Sequence, residues 1–345
     1  MTPQVAEALK IVAARKPLPR DLAERTFLDL IDGKATEAQK GALLLGIATR
    51  GETADEIAGA VSALRTRMRR VRTRRAPLLD TCGPGGIGRD LFNISTAAAV
   101  VAAGAGASVA KHGNRSISSR VGSADVLSAC GVSIDLGPEA AGRVLDEVGL
   151  VFLFAPSFHP AMKELGTVRR ELGVRTIFNA LGPLANPAGA TRQLIGVGRP
   201  ELVRLLADAL SSLGTERAVV FHVSNGSDEL IPGVPATGVE VNDGWTRPWK
   251  YDPSALPQQT VALEELAGGD AKANAGMLES LLDGETGPRR ETVLLNVAVA
   301  LTVAGCAADL GEGYEKGRAA IDSGAARASF DRMREKSHSS GGEGA

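Results

Sequence analysis

From Leu78 onward, short apolar runs alternate with helical patterns, and that alternation leaves the chain little choice but a sheet covered by helices. Strands are expected at Leu78 to Leu79, Ser108 to Ala110, Leu150 to Phe154, Gln193 to Val197 and Ala218 to His222. Helical patterns lie at Ser95 to Ala103, Ser123 to Ala129, Pro200 to Leu213 and Glu291 to Ala304. Short strands separated by helices imply a mainly parallel sheet, because parallel neighbours need a crossover.

The first seventy or so residues have a different texture. Thr36 with Gln39, and Thr53 with Glu56, fit the capping box, in which a hydroxyl and a side-chain carbonyl each take a free backbone N–H. Gly33 and Gly51 stand where the preceding helices should stop, and Leu43, Leu44 and Ile47 give one helix an apolar face. No strand pattern occurs there. The fold class is therefore α/β: a small helical domain over residues 1–74, then a larger α/β domain over 75–335. A helix and a Pro/Gly-rich loop over 160–187 interrupt the alternation and are assigned to join the helical domain. The tail 336–345, KSHSSGGEGA, is expected to be disordered.

Composition narrows the function classes. A formal net charge of −1 over 345 residues gives no global pull toward nucleic acid or anionic membrane. Aromatic residues make up 3%, too few for a base-stacking surface. Cys82, Cys130 and Cys306 form neither a metal-ligand pattern nor a disulfide framework, which suits a reducing cytosol. The start of the chain has no apolar run of signal-peptide type, and Ala97 to Ala107 is too short to span a bilayer. The basic run Arg65 to Arg75 reads as a solvated helix end leading into a linker in preference to a phosphate-binding patch.

Chemistry concentrates between Asp80 and Asp125. Gly83-Pro84-Gly85-Gly86-Ile87-Gly88 follows a strand and precedes a helix that opens at Asn93, Ser95 and Thr96. Such a loop brings backbone close to an anion, and the helix start adds free N–H groups and hydroxyls. No Gly-Lys-Ser/Thr follows it and no acidic ribose partner stands at the right distance, so it is neither a Walker A loop nor a good dinucleotide fingerprint. The block Lys111 to Ser119 then packs two cations, an imidazole, an amide and three hydroxyls directly after an apolar strand. Open α/β sheets bind ligands at that edge.

The segments KHGNRSISSRVGSADVL, FNISTAAAVVAA, FAPSFHPAMKELGTVRRELGVRTIFNALGPLANPA, GSDEL, LLNVAVAL and AAIDSGAA together resemble the anthranilate phosphoribosyltransferase family, over nearly the whole chain. The resemblance implies a nucleoside phosphorylase/phosphoribosyltransferase-like fold, a homodimer formed through the helical domains, and Mg2+ as cofactor. It implies that 5-phosphoribosyl 1-diphosphate is held by Gly83, Gly86, Ile87, Leu91, Asn93, Ser95, Thr96, Lys111, Asn114, Ser118, Ser119 and Ser123. Anthranilate would meet Gly83, His112, Asn114, Arg169, Gly182 and Pro183, with the Arg169 guanidinium suited to its carboxylate. Magnesium would be held by Ser95, Asp228 and Glu229. His159, before Pro160, reads as a structural helix-entry residue, and no general base is identified.

The chain departs from the family pattern in the glycine loop, usually Gly-Thr-Gly-Gly-Asp-Gly. Pro84 removes an N–H donor, Ile87 a carboxylate, and Leu91 the hydroxyl of a usual Thr. Val223, Asn225 and Ser227 replace the usual Gly, Asp and Leu. Two other readings stand beside the main one. Gly85 to Gly88 also resembles the loop of pyrimidine nucleoside phosphorylases, which leaves open a phosphorylase or a phosphoribosyltransferase with another acceptor. The Arg65 to Arg75 run motivates a catalytically inactive relative that binds nucleic acid, which the near-neutral charge disfavours.

Overall fold

The computed structural model describes residues 2–85, 90–116, 120–256 and 258–339. Four helices come first: α1 (Pro3–Ala13), α2 (Arg20–Ile31), α3 (Glu37–Arg50) and α4 (Ala54–Arg67). Both expected capping boxes form, at Thr36 with Gln39 and at Thr53 with Glu56. Gly51 ends α3 at φ 95°, a conformation that costs glycine little.

The larger part of the chain runs β1 (Leu79–Asp80), α5 (Ile94–Gly104), β2 (Val109–Gly113), α6 (Ser123–Ala129), α7 (Pro138–Val148) and β3 (Leu150–Phe154). Three short helices follow: α8 (Ala155–Phe158), α9 (Gly166–Leu172) and α10 (Phe178–Leu181). The chain re-enters the sheet with β4 (Arg192–Gly196), α11 (Glu201–Ser212), β5 (Arg217–Val223), β6 (Ala236–Asn242) and β7 (Trp245–Tyr251). It closes with α12 (Ala271–Leu282), α13 (Pro288–Ala304), α14 (Leu310–Asp322) and α15 (Ala325–Ser339).

The sheet order is β3-β2-β1-β4-β5-β6-β7. The strands from β3 to β5 are parallel, and β6 and β7 add an antiparallel hairpin at one edge. The chain goes from β1 outward to β2 and β3, then returns to the other side of β1 with β4. That reversal makes the carboxyl ends of β1 and β4 a topological switch point, the place where open α/β sheets leave a crevice for ligands.

Two apolar cores divide the molecule. One fills the sheet between α5, α13 and α15, with Val100, Leu153, Val297 and Phe330 fully buried. The other joins the N-terminal helices to the 160–187 segment and to α11 under β4 and β5. There Phe27, Leu44 and Ile57 share a cluster with Leu165, Phe178, Leu206 and Val220. The helical part therefore has no core of its own: α4 lies directly on α11.

One expectation fails at the carboxyl end. Residues 336–339 are not disordered; they form the last turn of α15. Ser337 Oγ accepts from the Ser133 N–H at 2.9 Å, and Lys336 pairs with Glu147 at 2.7 Å, which ties that turn to the α/β core. Residues 340–345 lie outside the described residues.

Candidate active site

The carboxyl ends of β1 and β4 meet at glycines. A Cβ on Gly83 would lie 2.8 Å from the Gly196 carbonyl oxygen, and one on Gly196 only 1.7 Å from that of Asp228. Both positions need hydrogen as side chain for the three segments to close up. The crevice they border, about 110 Å3, is lined by Thr81, Gly83, Ser95, Asp228, Glu229 and Asn296 among others.

Strand β2 delivers two adjacent side chains to opposite faces of the sheet beside this crevice, as strand alternation requires. Lys111 is buried and points its Nζ at Thr81 Oγ1 (3.3 Å) and Ser95 Oγ (3.5 Å). Ser95, in the first turn of α5, donates its N–H to Glu229 Oε1 at 3.2 Å. Asn296 on α13 fixes the acidic segment: its Oδ1 accepts from the Leu230 N–H and its Nδ2 donates to the Leu230 carbonyl. Burial pushes the carboxyls of Asp228 and Glu229 up, Glu229 to about 8 with Asp228 adding to the effect. The two are hemmed in by protein yet open to the crevice, being only partly buried by solvent exposure. Two carboxylates held together, with Lys111 and Arg175 only partly offsetting their charge, could take a cation. With the Ser95 hydroxyl they supply an all-oxygen donor set suited to Mg2+.

His112 faces the other way. Its Nδ1 lies 2.9 Å from the Gly182 carbonyl, and its ring is 5.2 Å from that of His159. Burial, with His159 beside it, pushes its pKa down to about 3, so the ring is neutral. A carbonyl only accepts, so Nδ1 carries the proton and Nε2 presents a lone pair. Nε2 is buried without a partner among the described residues. The facing turn is held at successive residues: the Pro183 carbonyl by Gln193 on β4, and the Leu184 carbonyl by Arg65 on α4 at 2.7 Å. Arg169 on α9 stacks its guanidinium over Phe178 at 5.7 Å and is half-buried, with no ion pair among the described residues. Burial lowers its pKa. A guanidinium partly stripped of water and left unpaired is poised for an anion.

Residues 75–327 match the family model described as "Glycosyl transferase family, a/b domain", and residues 6–68 match its "helical bundle domain". The anthranilate phosphoribosyltransferase of Symbiobacterium thermophilum is 46% identical over 330 residues, 96% of this chain and 97% of that protein. That of Anaeromyxobacter sp. (strain K) is 49% identical over 94% of this chain and 96% of its own length. The chain belongs to the anthranilate phosphoribosyltransferase family. The crystal structure of the Thermus thermophilus anthranilate phosphoribosyltransferase superposes with a TM-score of 0.91 at 41% identity, covering 96% of this chain and 99% of that one. The fold also matches the Saccharomyces cerevisiae anthranilate phosphoribosyltransferase in complex with PRPP and Mg, with a TM-score of 0.88 at 24% identity, over 97% and 98% of the two chains.

Within this anthranilate phosphoribosyltransferase fold, the expected residues divide by what they touch. Gly83, Ser95, Lys111, Asp228 and Glu229 gather at the switch point, His112 meets the Gly182-Pro183 turn, and Arg169 lies over Phe178, four residues before that turn. Thr96 follows Ser95 with its Oγ1 buried and unpartnered among the described residues. Asn93, Asn114 and Ser123 border the same loops but are engaged with protein. Asn93 takes a hydrogen bond from Asn274, Asn114 Oδ1 accepts from the Arg115 N–H, and Ser123 Oγ donates to the Asn114 carbonyl. Leu91 differs again: its backbone bridges Ala267 and its side chain packs on the α/β core. Gly86, Ile87, Ser118 and Ser119 lie outside the described residues.

The basic run is mostly spent on structure. Arg65 serves Leu184, Arg67 pairs with Asp32, and Arg74 with Asp146. The residues that sequence reasoning missed are Asp80, Asn186 and Asn296, all polar and buried. No helix among the described residues is long and apolar enough to cross a membrane.

Proposed function

We propose that the chain transfers the phosphoribosyl group of 5-phosphoribosyl 1-diphosphate to the amine of anthranilate, releasing diphosphate, in tryptophan biosynthesis. The observation that carries this reading is the split at the end of β2. Lys111 faces a hydroxyl and carboxylate cluster fit for a metal-bound diphosphate, and His112, beside the Gly182 turn, keeps an unpartnered ring nitrogen fit for an aromatic amine. The family relationship supports the same substrates.

Ser95, Asp228 and Glu229 would hold Mg2+, which supplies positive charge against the leaving diphosphate. Lys111 adds a fixed charge beside Ser95. Arg169 binds the anthranilate carboxylate, and the His112 Nε2 lone pair accepts from its amine, aiming the nitrogen lone pair at ribose C1. The C1–N bond forms as the C1–O bond to diphosphate breaks, with its electron pair leaving on diphosphate and one amine proton passing to the released diphosphate or to water. The aromatic amine arrives unprotonated, so no strong base is required. A ring with a pKa near 3 orients the amine without removing its proton before attack.

A homodimer paired through the helices before Arg65 belongs to this reading, and half-exposed Leu45 on α3 supports it. Three free cysteines support a cytoplasmic setting. The test is complementation. Expression in a bacterium lacking anthranilate phosphoribosyltransferase should restore growth without tryptophan, and failure of a soluble, expressed chain to do so contradicts the reading.

A further inference from the structure

Asp80 ends β1 and is fully buried, yet neither substrate contact nor metal binding uses it. Its Oδ1 accepts from the N–H groups of Cys82 (3.1 Å) and His112 (3.2 Å), and its Oδ2 accepts from Asn186 Nδ2 at 2.7 Å. Those three donors sit on three different pieces of the site. Cys82 leads into the glycine loop at Gly83. His112 is the wall residue on β2. Asn186 closes the turn that carries Gly182 and Pro183, and it is itself fully used: Nδ2 also donates to the Ala110 carbonyl at 2.8 Å, and Oδ1 accepts from the Ala188 N–H at 2.9 Å. Cys82 and His112 place a thiol and an imidazole near the same carboxylate, a potential metal cluster. Because the Asp80 oxygens are already taken by three N–H donors, the arrangement is a hydrogen-bond hub.

We propose that Asp80 is a positioning residue that holds the diphosphate loop and the acceptor wall in one fixed relation, so that the two substrates meet at the correct distance. The inference rests on the reading given above for the site. A buried ionised carboxylate gives each of its donors a charge-assisted bond, stronger than a neutral acceptor would. The charged groups facing it are Lys111, with the thiol of Cys82 and the neutral ring of His112 alongside. Burial drives its pKa up to about 6 against the pull of Lys111, so it is ionised at neutral pH. Carrying a charge inside the protein is unfavourable for folding, and the arrangement it maintains explains its presence.

Two variants of the full-length protein separate this role from general loosening. Asp80→Asn keeps the shape but sets an amide N–H2 against either Asn186 or the two backbone donors. We expect kcat/KM to fall about tenfold or more for both substrates, since misplacement of about 1 Å can cost a hundredfold. Asn186→Ala releases only the acceptor turn. It should raise the KM for anthranilate about tenfold and leave that for 5-phosphoribosyl 1-diphosphate within about twofold. Thermal unfolding is measured on each. The proposal is overturned if Asp80→Asn stays within about twofold of wild type for both substrates, or if Asn186→Ala weakens both substrates equally. Should Asp80→Asn not fold, the split in Asn186→Ala decides alone. Wild-type turnover in the same assay reports separately on the parent reading, and another acceptor found there would replace anthranilate in the comparison.

Discussion

Nδ1 of His112 lies 2.9 Å from the carbonyl oxygen of Gly182, and this one contact fixes the chemistry of the ring's other nitrogen. With the proton on Nδ1, Nε2 can only accept. His112→Phe keeps a ring of similar size and removes both nitrogens. We expect it to raise the KM for anthranilate by about tenfold or more, with the KM for 5-phosphoribosyl 1-diphosphate nearly unchanged. Equal changes in both constants would contradict the assignment of the ring to the acceptor wall.

The same ring sets a pH dependence of stability. Its folded pKa of about 3 lies below the ordinary histidine value of 6.5, so the unfolded chain binds the extra proton in between. The contribution of a buried neutral ring is therefore complete above about pH 6.5 and is lost as pH falls toward 3. Asp80, pushed up to about 6, works in the opposite direction, so wild type and variant must be compared. Relative to His112→Phe, wild type should lose about 1.4 kcal/mol per pH unit between roughly pH 6 and 4. Urea unfolding of both proteins at pH 7 and pH 5 measures this.

Arg169 is expected to read the acceptor's carboxylate and not its amine. Arg169→Ala should raise the KM for anthranilate about tenfold to a hundredfold, as for a lost bidentate charged pair. Aniline, which lacks the carboxylate, should react poorly but equally well with wild type and variant. A variant that slows aniline as much as anthranilate would place Arg169 outside the carboxylate site.

Glu229 and Asp228 have a double signature. Replacing both by Ala should lower turnover by about a hundredfold or more at limiting magnesium. Asp243→Asn is the suitable control, because Asp243 sits in the β6–β7 turn at φ 43°, a conformation Asn tolerates and Ala does not. Removing the metal adds a second readout. Glu229 is pushed up to about 8, so without magnesium the native protein holds a proton that the unfolded chain releases above about 4.5. Stability should fall as pH rises from 4.5 to 8 in chelator. Glu229→Gln should then unfold at a higher temperature than wild type at pH 8, and added magnesium should raise wild type only.

Leu45 tests the assembly. It is 46% exposed on α3, in the helical part that lacks a core of its own. Leu45→Glu should convert a dimer to monomer at micromolar concentration, as seen by light scattering, while leaving the unfolding transition of the chain intact. A wild type that is monomeric, or a variant that stays dimeric, would move the interface elsewhere.

Much of this architecture was legible in the sequence. Four of the five parallel strands fall within a residue of the apolar runs that announced them, because strands buried on both faces are nearly continuous in apolar residues, whereas β2 runs three residues further, through Lys111, His112 and Gly113. The β6–β7 hairpin was missed. Its second strand is largely exposed, and Thr246, Arg247 and Lys250 interrupt Trp245 and Trp249, so it has no apolar run. The signal that was present is Asp243-Gly244, a two-residue turn with φ positive at both positions. Helices α7, α12, α14 and α15 were missed as well. In the site, Lys111 and His112 stood out because they cluster in sequence. Asp80 and Asn186 did not, since 106 positions separate the partners and only the return of β4 beside β1 brings them together. The disordered tail failed for a related reason: nothing local to Ser337 signals its bond to Ser133.

The most direct measurement of the central claim is product analysis by mass spectrometry. The purified chain is incubated with 5-phosphoribosyl 1-diphosphate, magnesium and an equimolar mixture of anthranilate, nicotinate and free nucleobases. We expect N-(5-phosphoribosyl)anthranilate and an equal amount of diphosphate, with no other ribosylated product. A ribosylated nicotinate or nucleobase with no anthranilate product would contradict the account.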